Sequence, residues 1–251
     1  MTTTLKYLGI SAVEIVNEAG TKVLIDPFIT NNPMCPLALD EIGDVDIVLV
    51  THGAQDHMGD AIAIAKEKQA LLVCGPEVRV HALKNGVNDT KIIAVLWGDH
   101  LNVLDIGVQT VECRHVSFLR SGDTCLTGIA LSFIITPDNG TRIYNMGDTA
   151  IFSDMRLIAE LYSPNILLVP VGGEPRATGG YAHMSPREAA LATQWIMPEH
   201  AIPVHYGPDS IEPLKYRDHV HLLTSTVKVH LMKPGETVTY HPETHELKFV
   251  E

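Results

Sequence analysis

The chain has 251 residues, of which 45% are hydrophobic, and its 30 acidic side chains outnumber 18 basic ones to leave a net charge of −12. That length suits one sizeable α/β domain, able to bury roughly three quarters of its unfolded surface without covalent staples. The acidic balance argues against nucleic acid or an anionic membrane as the main partner, since basic patches hold both, and leaves a small molecule as the expected one.

From the N-terminus, residues 5–10, 12–16 and 22–25 read as strands, with the turn signal Glu18-Ala-Gly20 between the last two. Met1-Thr-Thr-Thr-Leu-Lys lacks the basic start of a signal peptide, and Glu14 interrupts the apolar run behind it. With no stretch near the ~18 apolar residues of a membrane span, a cytoplasmic protein is expected. Asp26-Pro27 ends the third strand, and residues 28–36 are too rich in Asn and Pro for regular structure. Strand 47–51, helix 60–69, strand 71–74, helix 77–84 and strand 92–95 then alternate as in a layered α/β unit. Four consecutive strands follow (101–104, 108–114, 128–136, 142–145), the last two joined by the hairpin signal Pro137-Asp-Asn-Gly140. Alternation resumes with helix 153–162, strand 166–171, helix 185–196, strand 201–204 and helix 209–221, before strands 227–231, 236–240 and 246–249. The four cysteines (Cys35, Cys74, Cys113, Cys125) show no Cys-x-x-Cys spacing and are expected to be reduced, Cys113 as part of the core. Self-association into a homo-oligomer stays open.

The chemistry concentrates in residues 48–60, where an apolar strand runs into His52-Gly53-Ala54-Gln55-Asp56-His57. In one helix His57 would point about 140° away from His52, so a loop wrapped around an ion is the expected arrangement of His52, Asp56 and His57. Three other β-prone runs also end in a coordinating side chain: His115, Asp148 and His205. Ligands gather at strand ends in layered α/β folds. Imidazole and carboxylate ligands without thiolate suit Zn²⁺, and also Mn²⁺ or Fe²⁺.

The set resembles the metallo-β-lactamase superfamily, whose loop reads His-x-His-x-Asp-His. Here the second histidine position is Ala54. Within that superfamily the chain is similar to the branch of ascorbate-6-phosphate lactonase and N-acylphosphatidylethanolamine phospholipase D, on the strength of Leu24-Ile-Asp26-Pro-Phe28, Met146-Gly-Asp148-Thr, Val169-Pro-Val-Gly-Gly173, His183-Met-Ser-Pro-Arg-Glu-Ala189 and Val204-His-Tyr-Gly207. The resemblance implies a four-layered αβ/βα sandwich over residues 1–251 as a single domain. It implies one metal on Asp56, His57, Asp148 and His205, and a second position on His52, His115 and the shared Asp148 that lacks the ligand replaced by Ala54. One tightly bound Zn²⁺ is expected, the second weak or absent. His183, before the helix start at Ser185-Pro186, is expected by the same resemblance to contact substrate. Asp26 either caps its turn or orients a ligand histidine. Arg114, Arg120 and Arg176 lie near site loops, either holding an anionic group or as solvated charges.

The expected activity is metal-dependent hydrolysis of a small soluble ester, lactone or phosphodiester by a metal-bound hydroxide, with Asp56 or Asp148 orienting the nucleophile and His183 near the developing oxyanion. Two other classes stay open: a non-catalytic metal-containing binding or regulatory protein, to which the loss at position 54 points, and a mononuclear iron redox enzyme, which the ligand types also fit.

Overall fold

The central strands of this chain are apolar on both faces, and the structure, a computed structural model describing residues 2–138, 140–173 and 183–250, shows what covers each. β1 (Thr3–Gly9), β2 (Ala12–Val16) and β3 (Lys22–Ile25) form a meander. β4 (Ile47–Leu49), α1 (Gln55–Met58), α2 (Ala61–Glu67), β5 (Leu71–Cys74), α3 (Pro76–Lys84) and β6 (Ile92–Ala94) come next. Then come β7 (His100–Val103), β8 (Ile106–Ser121), β9 (Thr124–Thr136) and β10 (Ile143–Asn145). The remainder is α4 (Met155–Tyr162), β11 (Ile166–Pro170), α5 (Pro186–Ile196), β12 (His200–Val204), α6 (Glu212–Leu223), β13 (Lys228–Val229), β14 (Thr237–His241) and β15 (Glu246–Phe249).

Two mixed sheets result, one ordered β15-β14-β1-β2-β3-β4-β5-β6 and the other β13-β12-β11-β10-β9-β8-β7. Alternate residues of each strand serve different layers. Ile25, Leu49 and Val73 of the first sheet meet Val108, Phe133, Leu168 and Ile202 of the second in a central core. Leu24, Val48 and Leu72, on the opposite face, pack under Ile64, Ala65, Val78 and Ala82 of α2 and α3. On the outer face of the second sheet, Leu167 and Val169 pack with Ile158, Ala189, Ala192 and Val220 of α4, α5 and α6. This is the four-layered αβ/βα sandwich expected from the sequence, and full burial of each Leu or Val stabilises it by about 1.5–3 kcal/mol.

The structure corrects the bounds of several elements, among them strand 227–231, which is only Lys228–Val229. Residues 55–58 form one helical turn, so Asp56 and His57 lie on α1 and only His52 precedes it. β8 and β9 extend past the expected limits, to Ser121 and back to Thr124, because alternation continues: Ser117, Leu119 and Ser121 are buried while Val116, Phe118 and Arg120 are exposed. Helix 209–221 begins only at Glu212, since Asp209 takes a left-handed φ of 57° and Pro213 suits a first turn. Other local signals hold: Ser185 and Glu188 form the capping box of α5 with Pro186 in its first turn, and β9 pairs antiparallel with β10.

Candidate metal centre

The ends of β3, β4, β10 and β12 bring Asp26, His52, Asp148 and His205 together, and α1 adds Asp56 and His57. His115 arrives by a bulge. The β8–β9 ladder passes from Glu112 opposite Leu131 to Val116 opposite Ile129, so Cys113, Arg114 and His115 share the span of one partner residue. The His115 ring stands 5.0 Å from that of His52. His183 approaches from the segment before α5, its ring edge-to-face with His205 at 4.5 Å.

Buried hydrogen bonds fix the loop. The Asp26 carboxylate accepts from the Thr51 N–H (2.8 Å) and hydroxyl (2.7 Å) and meets His57 Nδ1 at 2.8 Å, which turns His57 Nε2 towards the centre. Ser11 donates its hydroxyl to the Asp56 carbonyl. Asp26 and His205 take left-handed φ values of 44° and 57°, strained conformations for residues other than glycine. Gly172 and Gly173 leave room behind the site: a Cβ would stand 2.3 Å from the His205 carbonyl oxygen at the first and 2.0 Å from that of His183 at the second. Cys113 is buried, as expected, and its thiol donates to the Asp148 carbonyl at 2.9 Å.

The side chains fit a metal ion. His205 Nε2 lies 3.3 Å from Asp148 Oδ2 and 3.4 Å from Asp56 Oδ2, and His57 Nε2 lies 3.5 Å from Asp148 Oδ2. Tetrahedral ligands held about 2.0–2.1 Å from an ion stand about 3.4 Å apart. His183 Nδ1 is further out, 3.7 Å from Asp148 Oδ2. The Nε2 atoms of His52, His57, His183 and His205, and Oδ1 of Asp148, are buried with no hydrogen-bond partner. Orphaned polar atoms in such number are costly unless an ion satisfies them. Among the described residues, ligand atoms close within 4.8 Å in three triads: His52/His57/Asp148, Asp56/His57/His205 and Asp148/His183/His205. His115, expected beside His52, belongs to none of them, whereas His183, expected to contact substrate, does.

Arg114 is half exposed, pairs with Glu112 at 2.9 Å and lies over the Phe152 ring, so it is a surface charge. Arg176 lies outside the described residues. Sequence reasoning missed Thr51, Ser11, Ser117 and Glu77, all small or acidic residues with no motif of their own. Beside the centre lies a cleft of about 400 Å³ lined by Asp56, His183, His205, Tyr206, Ser210 and Glu212 among others.

Charge in the metal-free centre is tightly coupled. Burial opposes ionisation of Asp56, but the nearby His205 imidazole, 3.4 Å away, and the His57 charge outweigh it and hold the carboxyl well below its usual range. Asp148 is held low in the same way, against burial, by His205 and His57. Burial pushes His183 down to about 4. His57 goes the other way: burial works against its charge, yet Asp148 and Asp26 raise it well above the ordinary histidine value. The ionised His57 therefore stabilises the metal-free fold fully below about pH 6.5, and that contribution is lost as pH rises through its raised folded value. The two depressed carboxyls contribute above about pH 3.9 and lose their effect only in acid. A metal needs the neutral imidazole, so its binding expels the His57 proton. The rise in melting temperature on adding Zn²⁺ to chelator-treated protein is expected to be larger at pH 8 than at pH 6. A rise that is constant or smaller at pH 8 would contradict this.

Comparison with known proteins agrees with this architecture and with metal dependence. Residues 21–206 match the model of the beta-lactamase superfamily domain. A UPF0173 metal-dependent hydrolase of Methanobrevibacter smithii is 36% identical over 247 residues, covering 96% of this chain and 99% of that one. One of Rubrobacter xylanophilus is 34% identical over 239 residues, covering 93% and 95%. The solved structure of Igni18, a metallo hydrolase of Ignicoccus hospitalis, superimposes with a TM-score of 0.81 at 30% identity, covering 96% of this chain and 99% of that one. Fold and centre together define a member of the metallo-β-lactamase superfamily. Within it, the chain belongs to the UPF0173 metal-dependent hydrolases, and it is a metal-dependent hydrolase.

Proposed function

We propose that this hydrolase acts on a small soluble ester, lactone or phosphodiester in the cytoplasm, with one tightly held Zn²⁺ on Asp56, His57, Asp148 and His205. The observation that carries it is the convergence of unpartnered, buried imidazole nitrogens on carboxylate oxygens 3.3–3.5 Å away, at the wall of a cleft. An ion there supplies Lewis-acid polarisation of the substrate oxygen and acidifies a water.

The protein's own groups divide the remaining work. Asp56, ionised and facing the cleft, accepts the proton of the attacking water and orients it. His57 is held by Asp26 in the tautomer that leaves Nε2 free, and Asp148 belongs both to the triad with His52 and His57 and to the triad with His183 and His205. His183, held neutral by burial, stands where the substrate oxygen gains charge in the transition state and donates to it. The resemblance of His183-Met-Ser-Pro-Arg-Glu-Ala189 to the lactonase and phospholipase branch supports an ester, lactone or phosphodiester bond as the one cleaved, and the acidic net charge supports a small soluble compound over a phospholipid. Retention of Asp56 beside the cleft favours hydrolysis over a non-catalytic role.

A screen of lactones, esters and phosphodiesters with Zn²⁺, Mn²⁺ or Fe²⁺ supplied tests the reading, and turnover of none of them would overturn it. His183→Ala is expected to lower kcat about 10²–10³-fold with metal content unchanged, as fits loss of one general acid or oxyanion donor. An equal loss of metal, read by elemental analysis, would make His183 a ligand instead.

A further inference from the structure

A carboxylate remote from the metal triads is built into the wall behind them. Glu77, at the start of α3, is 4% exposed, and its Oε1 accepts the Ser117 hydroxyl proton. Ser117 in turn accepts the Gly53 N–H at 2.9 Å, between His52 and Ala54. Glu77 Oε2 is buried without a partner, packed against two glycines: a Cβ would stand 2.0 Å from it at Gly128 and 2.6 Å at Gly75. The fold thus leaves a slot for this side chain on both β9 and the β5–α3 turn. An unpaired carboxylate oxygen in apolar surroundings is costly and calls for a specific reason.

We infer that Glu77 is a positioning residue for the metal loop, acting through Ser117 on the Gly53 amide. A serine hydroxyl has one proton. With Glu77 as its acceptor, that proton points away from the loop and a lone pair is left facing Gly53. The relay fixes direction as well as distance. It also joins the two walls of the centre, because Ser117 lies on β8 two residues beyond His115, and His115 faces His52. Asp26 holds the loop at Thr51 and His57, Ser11 holds it at Asp56, and Glu77 supplies the third anchor. Groups that orient ligands from behind contribute about 10–100-fold to metal affinity.

The inference rests on the metal reading above, and Co²⁺ titration of the chelator-treated full-length protein separates the two. Glu77→Ala is expected to weaken Co²⁺ binding at least ~10-fold and to speed hydrogen exchange of the Gly53 amide, while Glu77→Gln, which keeps an acceptor for Ser117, stays within about threefold of the parent. Ser117→Ala, which removes a single oxygen, is expected to match Glu77→Ala and carries the test if that variant does not fold. Parent-like affinity and Gly53 exchange in the folded variants, with only a lower melting temperature, would reduce Glu77 to a space-filler and overturn the inference. Equal losses in Glu77→Gln and Glu77→Ala would assign the effect to charge rather than to the relay and also overturn it. No Co²⁺ binding by the parent would instead overturn the metal reading itself.

Discussion

Asp56→Asn is expected to lower kcat by about 10³-fold on any substrate the protein hydrolyses, within the range that a lost general base commands. The substitution keeps the shape of the side chain and removes its basicity. Asp56 differs from the other acids of the centre in facing the cleft: its side chain is 46% exposed against 7% for Asp148, while its Oδ2 remains 3.4 Å from His205 Nε2. Its backbone is anchored independently, by the Ser11 hydroxyl on its carbonyl, so the loop keeps its course when the carboxylate is neutralised. With its pKa held low in the metal-free centre, Asp56 is ionised throughout the neutral range, the form that accepts a hydrogen bond from the attacking water. Steady-state kinetics on the best substrate of the screen, with metal content measured in parallel, checks this. More than a tenth of parental kcat in the metal-loaded variant would remove Asp56 from its role.

The second large effect concerns metal stoichiometry. Ala54 is the residue before α1, its carbonyl accepting the N–H groups of His57 and Met58, and it is only partly buried. Its methyl group cannot coordinate, so a second position beside His52 and His115 is short of a ligand. Losing an orienting partner alone weakens binding about 10–100-fold, and losing a ligand costs more. The parent is therefore expected to keep close to one equivalent of Zn²⁺ after dialysis, and Ala54→His to keep close to two. Elemental analysis of both proteins decides it. Two equivalents in the parent would mean that another side chain has filled the gap, and His183, in a triad with Asp148 and His205, is the nearest source. Gln55, the other neighbour of the gap in sequence, is exposed.

Much of this was legible in the sequence because strand-end ligands leave a mark. An apolar run that stops at His52, Asp148 or His205 shows both the strand and the group it delivers, and Asp26-Pro27 marks the acid that turns His57. Apolar patterning on both strand faces likewise announces helices over each sheet. What stayed hidden depends on tertiary contact. The helical turn at Gln55–Met58 is too short for periodicity to register, and the bulge that carries His115 exists only as an offset between β8 and β9. Ser11, Thr51, Ser117 and Glu77 are hydrogen-bonding residues of ordinary type, and only the folded chain shows that they converge on one loop. His183 reads in sequence as a residue ahead of a helix, because its approach to Asp148 depends on tertiary contacts such as the hydrogen bonds that join its neighbour Met184 to Thr149 and Gly173.

The most direct test of the centre is a crystal structure of the protein as purified, with anomalous scattering measured on both sides of the zinc absorption edge. One fully occupied ion bounded by Asp56, His57, Asp148 and His205, with at most weak density beside His52 and His115, is the expected result. Two fully occupied ions, or one seated beside His52 and His115 with the Asp56/His205 pocket empty, would contradict it.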